Sequence, residues 1–210
     1  MLTLSVCVGI GIQDGLKNHC RGACGFESHH TDQKYLGGIK MQAISSFTVN
    51  HLLMNRGIFV SRIDTPIPGV YLTTFDIRLT LPNREAHIPP EASHTIEHLV
   101  ATYVRNNVEW KDKIVYFGPM GCLTGFYLIV YDRHPVTPEK ISSLVLNAFK
   151  FVVRFRGEVI GATKEECGSY LFHNLPVAKK YAKKFVHYMY FNRNHKDMIF
   201  CYPTSDSKEK

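Results

Sequence analysis

The chain has 210 residues, 45% of them hydrophobic and 20% charged, the composition of an ordinary folded protein with enough apolar material for one sizeable domain. The formal net charge is +7, but Lys179 to Lys210 carries eight Lys/Arg against three Asp/Glu, so most of the excess is local to that end of the chain. No run of 18 apolar residues offers a membrane span, and six scattered cysteines are too few for a disulfide scaffold, which points to a reducing, cytoplasmic setting with free thiols.

In chain order, residues 1–40 differ from the rest, with Gly/His/Cys-rich patches and no sustained hydrophobic period. Met1 to Ile12 is apolar but lacks the basic start of a secretory signal. Cys20-x-x-x-Cys24 with His19, His29 and His30 matches no zinc-finger spacing well. The simplest expectation is an N-terminal extension, poorly ordered or a start-site artefact, with Met41 as the authentic start and 41–210 as the domain. Extended segments are expected over Gly57–Ile63 and Val70–Leu81, the second alternating β-branched and aromatic residues with polar ones. Pro82 and Pro89-Pro90 bound a loop, and Ile96, Leu99, Val100, Tyr103 and Val104 then recur at helical spacing up to Arg105. Lys113–Phe117 reads as a short strand running into Gly118-Pro119-Met120-Gly121-Cys122, a turn, and Thr124–Tyr131 as its return. Thr137-Pro138-Glu139 carries an N-cap, a proline at the first helical position and an acidic first turn, predicting a helix to about Val153. A short helix is expected over Ala162–Cys167, and Pro176 opens the last one. Together these predict an α+β single-domain sandwich, an antiparallel sheet packed against helices.

The chemistry gathers in Ser93-His94-Thr95-Ile96-Glu97-His98-Leu99. On a helix, His94 and His98 lie one turn apart on one face and can share a divalent metal, with Glu97 beside that metal rather than on it. A catalytic metal usually has three protein ligands and an open position, and the candidates for the third are Cys122 and Cys167. Cys167 lies in the polar run Lys164-Glu165-Glu166-Cys167-Gly168, where a buried structural thiol would be out of place. A thiolate with two imidazoles suits zinc or ferrous iron, and Cys122 would then be free for acid/base work, its pKa tuned by its surroundings.

Several segments together resemble the S-ribosylhomocysteine lyase (LuxS) family of autoinducer synthesis. They are Ser46-Phe47-x-x-x-His51, Phe75-Asp76-Ile77-Arg78 followed by Pro82-Asn83, His94-Thr95-Ile96-Glu97-His98-Leu99, Arg105-Asn106, Pro119-Met120-Gly121-Cys122-x-Thr124-Gly125-Phe126-Tyr127 and Glu166-Cys167-Gly168. The resemblance implies a homodimer with its active sites at the interface, and His94, His98 and Cys167 holding Fe2+, with Zn2+ as a substitute. It implies Glu97 and Cys122 as the general acid/base pair, and Ser46, His51, Arg78 and Arg105 as residues that hold substrate. The expected reaction converts S-ribosylhomocysteine to homocysteine and 4,5-dihydroxy-2,3-pentanedione by carbonyl migration and β-elimination. One departure stands out: the family usually has Asp-x-Ser ahead of Pro-Met-Gly-Cys, whereas this chain has Tyr116-Phe117-Gly118.

Two other readings compete. His-x-x-Glu-His is also the inverted zinc-peptidase signature, which would require a distant glutamate as third ligand. A basic nucleic-acid-binding module rests on Lys179-Lys180-Tyr181-Ala182-Lys183-Lys184-Phe185. Val177, Ala178, Tyr181, Ala182 and Phe185 form an apolar helical stripe there, so the lysines are expected on a solvated flank, with no nucleic acid and no membrane as partner.

Overall fold

The computed structural model describes residues 49–203. Expectations about residues 1–40 and about Ser46 lie outside them. Strands β1 (Gly57–Ile67), β2 (Val70–Arg78), β3 (Ile114–Pro119) and β4 (Gly125–Asp132) form one sheet in the order β1-β2-β4-β3. All three pairings are antiparallel. Helix α1 (Pro90–Arg105) crosses from the β1–β2 hairpin to β3, α2 (Pro138–Arg154) follows β4, and α3 (Leu175–Phe191) and the single turn α4 (Lys196–Ile199) complete the chain. This is the α+β arrangement expected from the sequence, and the described residues form a single layer of sheet with helices packed on it.

The helices start where local chemistry satisfies their first amide groups. The Thr137 side chain accepts from the Lys140 N–H ahead of α2, Asn174 accepts from Val177 N–H ahead of α3, and a proline occupies the first turn of each. Pro119 closes β3 on the edge of the sheet, where a missing N–H removes no ladder bond that a neighbour needs. The strand therefore runs through Gly118 and Pro119, and the turn begins only at Met120, with Leu123 at φ +54. Ala162–Cys167 is not the expected short helix. It is a series of turns, with Ala162 N–H bonded to Val159 O and Cys167 N–H to Thr163 O, because no apolar face there repays a regular helix.

Alternation along the strands sends Phe75 and Ile77 of β2, Phe117 of β3, and Phe126, Leu128 and Val130 of β4 into the helical layer. Aromatic rings then connect the layers in series. Phe117 stacks on Phe126 at 5.1 Å, Phe126 meets Phe149 of α2 at 6.4 Å, and Phe149 meets Phe185 of α3 at 4.8 Å. Losing one such fully buried ring costs about 3–5 kcal/mol, enough to threaten the whole fold. The apolar side of α1, with Ile96, Leu99, Val100 and Val104 buried, fixes which side of that helix faces out, and that side carries the histidines.

Candidate metal centre and thiol cluster

Burial of Thr95, Ile96 and Leu99 turns His94 and His98 outward from α1, their rings edge to face with centroids 4.6 Å apart. Each ring is oriented by the loop between α2 and α3. The His94 Nδ1–H donates to Phe172 O at 2.8 Å and the His98 Nδ1–H to Ile160 O at 2.9 Å, so both rings present a bare Nε2 to the space between them. Gly161 follows at φ +75, and a Cβ there would press on His98 Nδ1 at 3.2 Å, so a glycine lets the loop lie against the ring.

The same loop delivers Cys167, whose Sγ is 3.5 Å from His94 Nε2. It also delivers His173, which the sequence reading missed. Ligand atoms of His94, His98, Cys167 and His173 all lie within 4.8 Å of one another. The Thr95 hydroxyl donates to Glu91 O, so it can only accept from His173 Nδ1 at 3.3 Å and from Asn174 N–H at 2.9 Å. His173 Nε2 is therefore a lone-pair acceptor, buried and without a hydrogen-bond partner. Burial, with His94 and His98 beside it, pushes the His173 pKa down to about 4, which keeps it neutral. Three imidazole nitrogens around a thiol fit a divalent ion such as zinc or ferrous iron. The available signal was Cys167-x5-His173 immediately before the Asn174 cap.

Glu97 is half-buried on the same helix. Burial raises its pKa, and His94 and His98 oppose the rise without cancelling it. No carboxylate joins the cluster among the described residues, so the distant glutamate of a zinc peptidase has no counterpart there.

A second cluster sits on the opposite side of the sheet. Cys122 is exposed on the β3–β4 turn, 3.1 Å from Thr124 Oγ1 and 3.7 Å from Arg78 Nη1. Arg78 Nη1 also donates to Thr124 Oγ1, and Arg78 Nη2 to Asp76. Burial alone would push the Cys122 thiol up, but the Thr124 hydroxyl, the Thr124 N–H and the Arg78 guanidinium outweigh it and hold the thiol below its ordinary value. Burial raises the Asp76 pKa against the pull of Arg78, of the Tyr202 hydrogen bond and, least, of nearby His51, whose ring nitrogen Nδ1 is 2.8 Å from Val49 O. Arg105 belongs to neither cluster: at the far end of α1 its guanidinium donates to Val115 O at 3.4 Å. Next to Val115, the Tyr116 phenol lies over Gly118, where a Cβ would oblige the end of the ring to shift. The α3 lysines flank a buried stripe of Ala178, Ala182 and Phe185, and Lys184 pairs with Glu85 at 3.1 Å, as a solvated flank would.

Two α1 histidines and a loop cysteine, on a helix-covered antiparallel sheet, define an α+β protein with a His/His/Cys cluster able to hold a metal ion. The particular family is shown by comparison: the S-ribosylhomocysteinase (LuxS) model matches residues 44–196, and the chain belongs to that family. An S-ribosylhomocysteine lyase of Phocaeicola vulgatus is 48% identical over 166 residues, which cover 79% of this chain and 100% of the relative. Those of Clostridium acetobutylicum and Borreliella afzelii are 50% and 45% identical, covering 69% and 78% of this chain and 90% and 100% of their own lengths.

Proposed function

We propose that this protein cleaves S-ribosylhomocysteine to homocysteine and 4,5-dihydroxy-2,3-pentanedione, the autoinducer precursor, with 41–210 as the catalytic domain. The carrying observation is the convergence of His94, His98 and Cys167 next to Glu97, in a chain of this family. His94, His98 and Cys167 would hold the ion, Fe2+ natively with Zn2+ as a substitute, and His173 Nε2 stands beside them as a fourth donor. When bound, a divalent metal supplies Lewis acidity at the substrate carbonyl oxygen.

The reaction needs only proton transfers and one bond cleavage. A proton leaves the carbon next to a carbonyl and returns to the former carbonyl carbon, so that the carbonyl moves along the ribose, and this happens twice. A final deprotonation next to the migrated carbonyl expels the homocysteine sulfur from the carbon beyond, the leaving thiolate takes up a proton, and the enol left behind moves its hydroxyl proton to the terminal carbon to give the dione. Atoms balance without water, oxidant or organic cofactor. Glu97, whose carboxyl burial holds above its ordinary value, can take and return protons beside the metal ligands. Cys122, whose thiol is held below its ordinary value, can do so from the other side of the substrate. Ser46, His51, Arg78 and Arg105 are assigned to holding substrate.

The two clusters share no hydrogen bond among the described residues, which supports an active site completed in a homodimer. Apolar side chains left open beside the metal cluster, Leu171 at 82% and Phe172 at 47% exposure, support the same reading, as do Tyr116 and Tyr131 at 43% and 42% on the outer sheet face. A cytoplasmic setting is consistent with free thiols; no helix of the described residues is long and apolar enough to cross a membrane. The test is to incubate purified, Fe2+-loaded protein with S-ribosylhomocysteine and a thiol reagent. Stoichiometric thiol release is expected, and none from the metal-loaded protein would overturn the assignment.

A further inference from the structure

We propose that Tyr202, in the C-terminal segment beyond the family match, is a positioning residue for the Cys122 thiol, acting through Asp76 and Arg78. This rests on the reading of Cys122 as an acid/base group. After α3 the chain turns back over β1, where Ile199 is buried and its carbonyl lies so close to Gly57 that a Cβ there would meet it at 2.5 Å. That approach brings Tyr202 onto Phe59, with ring centroids 5.0 Å apart and planes within 15°. The phenol then reaches Asp76, donating to Oδ2 at 3.2 Å, while the Ser61 hydroxyl serves the phenol oxygen.

Asp76 is 3% exposed and, among the described residues, receives two donors, Tyr202 and Arg78, both on Oδ2; Asp76 Oδ1 and Arg78 Nε are buried without a partner. Arg78 in turn spans the distance to the thiol, with Nη2 on Asp76 and Nη1 on Thr124 and 3.7 Å from Cys122 Sγ. Hydrogen bonds thus run without a gap from Tyr202 to the sulfur. Removing the phenol hydroxyl leaves the Asp76 charge to Arg78 alone. The guanidinium is then drawn toward the carboxylate and does less to stabilise a thiolate at Cys122. Among the described residues, the ionisable groups facing this relay besides its own members are His51 and Tyr127, and neither has a hydrogen bond to Tyr202.

The experiment compares Tyr202→Phe and Tyr202→Ala with the parent chain, metal-loaded, following iodoacetamide alkylation of the Cys122 peptide by mass spectrometry as a function of pH. Tyr202→Phe keeps the ring on Phe59 and loses only the hydroxyl. Its alkylation midpoint is expected to rise by about half a unit, slowing alkylation near neutral pH about threefold. Thiol release should slow mainly in kcat rather than KM. An unchanged midpoint in Tyr202→Phe, with a change only in Tyr202→Ala, would reduce Tyr202 to ring packing and overturn the proposal. A shifted midpoint with unchanged turnover would support the positioning and instead count against Cys122 as an acid/base group.

Discussion

Two backbone carbonyls, of Ile160 and Phe172, decide what His94 and His98 can do, because each takes an Nδ1–H and frees an Nε2. The roles of residues around them separate cleanly in mutants. His98→Ala or Cys167→Ala should each lose about one equivalent of metal, measured by elemental analysis, together with all thiol release. Glu97 makes no hydrogen bond to the cluster, and the Cys122 thiol is 3.1 Å from Thr124 Oγ1 and is not one of the four clustered ligand groups. Glu97→Ala and Cys122→Ala should therefore keep the metal yet lose at least ~10²-fold in turnover, the usual cost of a missing general acid or base. Stalled ketose intermediates should then be visible by NMR with labelled substrate. Loss of metal from Cys122→Ala and its retention in Cys167→Ala would reverse the two cysteine roles.

At the scale of elements, Asp132 holds the end of β4 to two neighbours. Its carboxylate takes Lys113 at 2.9 Å from the turn before β3 and Lys140 at 3.3 Å from the first turn of α2. The Lys113 bond, the backbone N–H of Arg133 and Lys140 outweigh burial and pull the Asp132 pKa from 3.8 to about 2. A carboxyl depressed in the folded state contributes stability that is whole above its unfolded value and disappears as pH falls through the folded one. The window is therefore pH ~4 down to ~2. The lysines are partly exposed, so the contribution is about 1 kcal/mol, as for a screened ion-pair network. Acid unfolding followed by circular dichroism should show that loss in the parent chain and not in Asp132→Asn. Equal acid sensitivity in both would remove Asp132 from the account.

For the whole molecule, the boundary of the functional unit is the testable quantity. The family match begins at residue 44, and 166 residues of this chain cover the whole Phocaeicola vulgatus relative. Deleting residues 1–40 should leave the thermal midpoint within ~2 °C and thiol release unchanged, since that segment precedes the family match and its sequence has no sustained hydrophobic period. A fall of many degrees would place that segment inside the folding unit.

Much of this protein was legible before any coordinates. The strands and the three long helices follow from period and caps, as Thr137-Pro138 shows, because those signals act within a few residues. His94, Glu97 and His98 share a helical face by spacing alone, and Cys167 could be singled out by its polar neighbourhood. Three things needed the fold. The Ala162–Cys167 segment was expected to be helical, yet its path is set by the Cys167 thiol it brings to α1 and by the Ile160 carbonyl just before it. His173 is 79 positions from His94 in the chain, and only the Thr95 hydroxyl and ring stacking at 4.2 Å bring it to the same point. Tyr202 and Asp76 are 126 positions apart, joined because the chain after α3 returns over β1. Local pattern determines which residues share one element's face; contacts across such separations exist only once hydrophobic packing has chosen which faces meet.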